Sequence, residues 1–144
     1  MRHGNIIGFD PGGKKKGNAY AVLSPDDVVL ATGIVRCRDD VVRVLMEWDV
    51  YFGVIEQIPN VHNDHVFNIL SRQWGRLEQM MDDYGIEYTD MNVGTWKKNL
   101  CGVGNADKPK IKKCAIEIFG LAEDLQQDEY DAVGIAAAWQ EGVY

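Results

Sequence analysis

The chain has 144 residues, of which 46% are hydrophobic and 26% charged, with a formal net charge of −7. This length and composition predict a single globular domain over residues 1–144 and exclude a disordered or fibrous chain. No stretch reaches the 18 consecutive apolar residues typical of a membrane-spanning helix, and the N-terminus lacks a signal-peptide core, so no membrane partner is expected. The acidic net charge disfavours a general affinity for nucleic acid, because proteins that bind polyanions are usually basic.

Charge is distributed unevenly along the second half of the chain. Six lysines and one acid lie between Lys97 and Lys113, whereas six acids and no base lie between Glu117 and Asp131. Such segregation predicts a basic binding surface beside an acidic pocket.

The three cysteines are odd in number and far apart along the chain, at Cys37, Cys101 and Cys114. This spacing fits neither a disulfide framework nor a metal site, and it indicates a reduced, cytoplasmic protein.

The first segment, Asn5 to Leu23, is predicted to form a β-hairpin. Two apolar runs are separated by Pro-Gly-Gly, three lysines and Gly17, and such punctuation is typical of two strands and their connection. Asp10 ends the first run, where a buried carboxylate would be costly unless a cation or a hydrogen bond compensates it. The alternative is that Asp10 only starts the turn through backbone hydrogen bonds.

The rest of the chain alternates between strand and helix patterns. Further strands are predicted at Val28–Val35, Phe52–Gln57 and Ile86–Met91, and helices at Val41–Trp48, at Asn63 or Asp64 to Tyr84, at Val93–Leu100, at Lys108–Phe119 and at Asp128–Gln140. Three sequential strands followed by helical crossovers predict an α/β fold. Its mixed five-stranded sheet would be antiparallel at one edge, parallel at the other and flanked by helices.

Two helices carry apolar stripes. The first is Val66, Leu70, Trp74, Leu77, Met81 and Tyr84, and the second is Ile111, Ala115, Ile118 and Phe119. Both stripes are interpreted as core-facing. In the longer helix Phe67, Ile69 and Met80 widen the stripe enough to serve a partner subunit as well.

Carboxylates recur at positions that the predicted fold could bring together. Asp10 and Glu56 end two strands, and Asp128 and Asp131 share one face of the first turn of the last helix. All-oxygen ligand sets suit Mg²⁺ or Mn²⁺, and two such ions serve in-line phosphodiester hydrolysis. The alternative for the helix acids is a favourable interaction with the helix dipole, and Glu129 is an adjacent substitute for Asp128.

At this point the sequence resembles the RuvC-type Holliday-junction resolvases, within the ribonuclease H-like superfamily, over nearly the whole chain. Four segments carry the resemblance in order: IIGFDPGGKKKGNAYAVL, VIEQIPN, TWKKNLCGVGNADKPKI and DEYDAVGIAAA. They match the family's opening strand pair, its Ile-Glu-Gln motif, its basic Lys–Gly–x–Gly segment and its closing Asp-x-x-Asp helix.

The resemblance implies an endonuclease that resolves four-way DNA junctions by paired nicks, leaving 5′-phosphate and 3′-hydroxyl ends. It implies that Asp10, Glu56, Asp128 and Asp131 are the catalytic residues that bind two Mg²⁺ (or Mn²⁺) ions. It also implies a homodimer through the helix at residues 64–84, in a bacterial or phage-infected cell. The residues expected to contact DNA are Lys14, Lys15, Lys16, Lys97, Lys98, Lys108, Lys110 and Lys112.

The sequence departs from the family pattern at Pro59, where some bacterial members carry an aromatic residue that stacks on a junction base. The chain is also shorter and more acidic than the usual bacterial form, which suggests a divergent, phage-encoded version. Alternatives are a broader branched-DNA or flap nuclease and an RNA-processing or RNA–DNA hybrid nuclease of the same fold. An actin-like ATP-binding domain and an inert junction-binding protein are less consistent with the length and with the four carboxylates.

Overall fold

A computed structural model describes residues 4–12, 17–58 and 63–143. The strands are β1 (Asn5–Asp10), β2 (Asn18–Leu23), β3 (Val29–Val35), β4 (Val50–Glu56) and β5 (Glu87–Met91), and the helices are α1 (Arg38–Glu47), α2 (Asp64–Asp83), α3 (Val93–Cys101), α4 (Lys108–Phe119) and α5 (Gln127–Gln140). Every predicted strand and helix is present, with ends that differ by at most three residues.

The strands form one sheet in the order β3-β2-β1-β4-β5. β2 pairs antiparallel with both β1 and β3, whereas β4 pairs parallel with both β1 and β5. This arrangement confirms the predicted α/β fold with a mixed sheet. Because β1 and β4 are parallel neighbours, they end at the same edge of the sheet.

Helices cover both faces of the sheet. On one face Ile7 and Phe9 of β1 join a core with side chains of α1 and α2. On the other face Ile6 joins a core with the alanine-rich side of α5, while α3 and α4 pack against α5 from outside. The central strand is therefore buried on both sides, as its apolar sequence indicates.

A close approach between the sheet and α5 occurs at Gly8, in the middle of β1. A Cβ atom at this position would lie 2.6 Å from the carbonyl oxygen of Ala132 in α5, so only glycine fits. The small side chains of Ala132 and Ala136 face it from the helix. This close contact fixes the start of α5 beside the end of β1.

The apolar stripe of α2 is core-facing only in part, which corrects the sequence interpretation. Leu77 and Met81 are fully buried, but Val66 is 39% exposed and Phe67 is 45% exposed. A helix of 20 residues is about 30 Å long, whereas strands of six or seven residues span only about 20 Å. The N-terminal half of α2 therefore extends past the sheet, and Tyr84 at the other end is also exposed.

The prediction for α4 is wrong at Ile118, which is 57% exposed. Ile111 and Ala115 are buried as expected, and Ile116 and Phe119 pack against the core in the last turn. In the last turn of α4, Ile116 and Phe119 therefore face the core, and Ile118 faces solvent.

The start of α2 agrees with the capping residues that the sequence offers. Asn63, not Asp64, caps α2, and its side-chain oxygen accepts hydrogen bonds from the backbone N–H groups of His65 and Val66.

None of the helices in the described part of the chain is both long and apolar enough to cross a membrane. The three cysteines are free.

Candidate active site

Two strand ends place carboxylates at one edge of the sheet. Asp10 is the last residue of β1 and Glu56 is the last residue of β4. The two strands are in parallel register, with Phe9 opposite Ile55, so the two acids emerge side by side. The Asp10 side chain lies within hydrogen-bonding reach of Glu56.

The first turn of α5 brings two more acids to this edge. Carboxylate oxygens of Asp10, Asp128 and Asp131 all lie within 4.8 Å of one another. The structure therefore brings Asp10, Asp128 and Asp131 together, and Glu56 lies beside Asp10 outside this group of three. We refer to Asp10, Glu56, Asp128 and Asp131 as the carboxylate cluster.

Glu129, the alternative to Asp128, points elsewhere. Its carboxylate accepts one hydrogen bond from the Gln126 backbone N–H at 2.8 Å and another from the Thr32 hydroxyl at 2.8 Å. The first bond belongs to a capping box that starts α5. Glu129 is thus used to build the helix end, which leaves Asp128 to face the cluster.

Two tryptophans hold Glu56 in place. The indole Nε1 of Trp96, in α3, donates a hydrogen bond of 2.7 Å to Glu56 Oε2. The indole Nε1 of Trp74, in α2, donates a hydrogen bond of 3.0 Å to the backbone carbonyl of Glu56. Sequence reasoning missed both contacts, because a tryptophan in a helical stripe is usually read as core.

Trp96 is itself fixed by close packing. Only 1% of its surface is exposed, and it lies against Gly134 of α5, where an added Cβ would be 2.6 Å from the indole ring. A glycine at this position is therefore required for the indole to reach Glu56.

The carboxylates strongly influence one another's protonation. Burial raises the pKa of Asp10 well above its usual value, and the charges of Glu56, Asp131 and Asp128 raise it further. Burial raises the pKa of Glu56 to about 7, although the hydrogen bond from Trp96 opposes this shift. Burial and the charge of Asp128 raise the pKa of Asp131 to about 6. Asp10, Glu56 and Asp131 therefore cannot all be ionised together without a compensating cation.

The donor set fits a divalent metal. The described ligand candidates are all carboxylate oxygens, which suit Mg²⁺ and Mn²⁺. The Oδ1 atom of Asp131 is buried and has no hydrogen-bond partner among the described residues. A buried oxygen of this kind normally has a partner, and a cation would supply one.

Two of the lysines predicted to contact DNA, Lys97 and Lys98, belong to α3. Lys97 is partly buried next to Trp96, with its ammonium 5.8 Å from the centre of the indole ring. Its positive charge partly offsets the rise in the pKa of Glu56 and of Asp131 that burial causes. Lys98 on the same helix is exposed.

The lysines of α4 are connected to the cluster through the start of α5. The side-chain amide of Gln127, the residue before Asp128, donates a hydrogen bond of 3.2 Å to the carbonyl of Lys108. Lys108 and Lys110 are exposed, whereas the Lys112 ammonium lies 5.7 Å from the centre of the Tyr130 ring. Residues 14–16, with three further predicted lysines, and Pro59 lie outside the described residues.

Comparisons with known proteins agree with this geometry. No protein-family model matches the chain. The chain is 26% identical over 146 residues to the crossover junction endodeoxyribonuclease RuvC of Bradyrhizobium sp. (strain ORS 278), covering 91% of this chain and 83% of that protein.

Solved structures share the fold. T. thermophilus RuvC in complex with a Holliday junction substrate superposes with a TM-score of 0.79 at 17% identity, covering 93% of this chain and 91% of that one. The fowlpox virus resolvase in complex with Holliday junction DNA gives a TM-score of 0.62 at 13% identity, covering 96% and 97%. In sequence the chain is thus similar to RuvC crossover junction endodeoxyribonucleases, and it shares the fold of solved Holliday-junction resolvases.

Proposed function

We propose that the chain is a metal-dependent endodeoxyribonuclease that resolves four-way DNA junctions by paired, symmetric nicks. The observation that carries this proposal is the convergence of Asp10, Asp128 and Asp131 with Glu56 at one edge of a RuvC-like sheet. The relatives in sequence are crossover junction endodeoxyribonucleases, and two of the related structures hold junction DNA, which supports the same substrate here.

The four carboxylates would hold two Mg²⁺ (or Mn²⁺) ions. When bound, such a pair activates a water molecule for in-line attack on the phosphodiester and stabilises the leaving oxygen. The buried and unpartnered Oδ1 of Asp131 supports a ligand role for this residue.

The remaining residues of the site orient these groups and the substrate. Trp96 keeps one oxygen of Glu56 in a fixed position, which limits the rotamers open to that carboxylate. Lys97, beside the cluster, would contact a phosphate close to the cleaved bond, and Lys98, Lys108 and Lys110 would contact the phosphates that follow. Cleavage would leave 5′-phosphate and 3′-hydroxyl ends.

A homodimer formed through α2 would provide two such sites. The exposed Val66 and Phe67 in the first turns of α2 support this helix as the contact, since pairing of two copies there would remove both apolar side chains from water. A two-fold axis matches the symmetry of a four-way junction, which requires two equivalent nicks. We further propose that the chain acts as one nuclease domain in the cytoplasm of a bacterium or phage-infected cell.

The proposal is tested by cleavage of a labelled mobile four-way junction with Mg²⁺, beside a flap, a duplex and an RNA–DNA hybrid. Symmetric paired nicks confined to the junction are expected. Comparable cutting of the flap would make the protein a general debranching nuclease. Cutting of the hybrid alone would overturn junction resolution.

A further inference from the structure

A second positively charged feature lies away from the lysine surface, by which we mean Lys97, Lys98, Lys108 and Lys110. A cavity of about 360 Å³ is formed where β2 begins, β3 ends, α1 begins and the middle of α2 packs. Among the residues that the structure describes, its polar lining consists of Asn18, Arg36, Arg38, Gln73, Arg76 and Gln79, with no acidic side chain. Three of the six arginines in the sequence therefore line this one cavity.

The cavity is next to the carboxylate cluster. Asn18, which is only 7% exposed, lies in its wall, and its side-chain oxygen accepts a hydrogen bond of 3.2 Å from the backbone N–H of Gly12, two residues after Asp10. The neighbouring residue of β2, Ala19, is paired with Asp10 in the sheet. The cavity thus opens at the same edge of the sheet as the cluster.

The two basic surfaces lie on opposite sides of that edge. The cavity belongs to the face covered by α1 and α2, whereas Lys97 and Lys108 belong to the helices that pack on the α5 face. The cluster lies between them. A nucleic-acid strand crossing the cluster would leave the lysine surface and reach the arginines.

Among the described residues, an acid already pairs with one of the three cavity arginines. Arg38 is held by Asp83 at 2.9 Å and lies over the Tyr84 ring. Neither Arg36 nor Arg76 forms a salt bridge with any residue that the structure describes. Asp40 of α1 is already engaged, since it accepts the backbone N–H of Arg36 at 3.1 Å and pairs with Arg43 at 3.4 Å.

Backbone groups at the start of α1 also favour an anion. Cys37 is the N-cap of α1, but its side chain makes no capping hydrogen bond. The first N–H groups of the helix therefore lack a side-chain acceptor at the wall of the cavity. Arginine guanidinium groups bind phosphate through two parallel hydrogen bonds, which makes a phosphate the anion of best fit.

We infer that this arginine cavity binds a backbone phosphate of a DNA arm, on the side of the cluster opposite the lysine surface. The inference rests on the proposed function, because it takes the substrate to be junction DNA. It adds a second anchoring point, which would fix the direction in which the arm leaves the cleavage site.

The test compares matched variants in an Asp10→Asn background, in which binding is measured without cleavage. Arg36→Gln and Arg76→Gln each remove one cavity arginine, and Arg43→Gln removes an exposed arginine of α1 that does not line the cavity. Affinity for a four-way junction is measured as a function of salt concentration.

We expect each cavity variant to bind the junction about tenfold more weakly and to reduce the slope of log affinity against log salt by about one, the effect of one lost phosphate contact. Arg43→Gln is expected to change affinity less than about twofold. Equal affinities and slopes for the cavity variants and Arg43→Gln would overturn the inference.

A conservative variant separates a lost contact from a damaged fold. Arg76→Lys keeps the charge and loses the two-pronged hydrogen bonding, so it should keep the salt slope and bind with intermediate affinity. If Arg76→Lys binds as weakly as Arg76→Gln with an equally reduced slope, the cavity arginine does not act through charge and the inference fails. Cleavage by the unsubstituted chain reports separately on the proposed function.

Discussion

Trp96 and Glu56 are joined by a hydrogen bond of 2.7 Å from the indole Nε1 to the carboxylate Oε2, across the gap between α3 and the end of β4. The donor is almost completely buried, and the acceptor belongs to the carboxylate cluster. A hydrogen bond from a neutral donor to a carboxylate favours the charged form, which is the form that binds a cation. The bond therefore links the packing of the helical layer to the electrostatics of the candidate active site.

Trp96→Phe should reduce junction cleavage about tenfold or more and leave junction binding unchanged. Phenylalanine keeps most of the buried apolar surface but has no donor for Glu56, and a hydrogen bond to a charged group is worth about 1.5–3 kcal/mol. The Mg²⁺ concentration for half-maximal cleavage should also rise, which a purely structural effect would not cause. The measurement is a metal titration of single-turnover cleavage.

Trp74→Phe is the matched control, since Trp74 also donates its indole N–H to Glu56 but to the backbone carbonyl. It removes an equal number of atoms and an equal number of hydrogen bonds. We expect a smaller loss of cleavage and no change in the Mg²⁺ requirement. Equal metal requirements for the two variants would contradict a positioning role for Trp96.

Asp10→Asn should abolish cleavage and keep junction binding, because it removes a proposed metal ligand and no positive charge. In the absence of metal it should also raise thermal stability at neutral pH, since it removes a carboxylate whose charged form is disfavoured by burial and by the charges of Glu56, Asp131 and Asp128. For a chain of this length, each kcal/mol gained corresponds to an increase in melting temperature of about 2–4 °C.

Asp124→Asn is the control, because Asp124 is exposed and lies outside the cluster. It should change neither cleavage nor stability. An Asp10→Asn protein that cuts at the normal rate would remove Asp10 from the site.

The stability of the metal-free protein should depend on pH in an unusual direction. The folded-state pKa of Glu56 is raised from 4.5 to about 7 and that of Asp131 from 3.8 to about 6. At pH values between the unfolded-state and the folded-state pKa, the folded chain holds protons that the unfolded chain has released. The free energy of unfolding therefore falls as pH rises from about 4 to about 7. The shift of Glu56 alone corresponds to a loss of about 3 kcal/mol.

Urea denaturation in a chelating buffer at pH 5 and pH 8 measures this effect. The protein should be less stable at pH 8, and added Mg²⁺ should restore stability there. Glu56→Gln should show a smaller difference between the two pH values. Stability that is constant or rises over this range would show that the cluster is not strained by its own charge.

The sequence was sufficient to predict the fold because its signals are local. Apolar runs such as Ile6–Phe9 and Val54–Ile55, each followed by one carboxylate, indicate buried strands that end at a polar edge. The parallel pairing of β1 and β4 then places Asp10 beside Glu56 without further information. The spacing of Asp128 and Asp131 supplies the rest of the cluster.

The features that sequence reasoning missed depend on long-range packing. Trp96 lies 40 residues from Glu56, and its helical environment gives no indication that the indole faces a carboxylate. The arginine cavity brings together Arg36 and Arg76, which are far apart in the sequence. No local sequence motif indicates that they share a site. The exposure of Val66, which the stripe placed in the core, depends on the length of α2 relative to the sheet, which periodicity does not report.

Lys108→Ala should weaken junction binding and reduce the salt slope by about one, because it removes one proposed phosphate contact near the start of α5. Lys113→Ala is the matched control, since Lys113 is also exposed on α4 but five residues further along, on a different side of the helix. Salt-dependent binding assays on both variants test the assignment. Equal losses for the two lysines would indicate a diffuse basic surface in place of a defined contact.

Phe67→Asp should convert the proposed homodimer to a monomer. Phe67 is 45% exposed beside Val66 in the first turns of α2, and a charge placed in an apolar dimer contact is left unpaired on association. Sedimentation analysis measures the oligomeric state, with Ile118→Asp as control, because Ile118 is 57% exposed on α4 and outside the proposed interface. The monomeric variant should give isolated nicks in place of paired ones, since each junction then meets one active site at a time. If the Phe67 variant remains dimeric, or if the Ile118 variant dissociates, the two-fold contact lies elsewhere on the molecule.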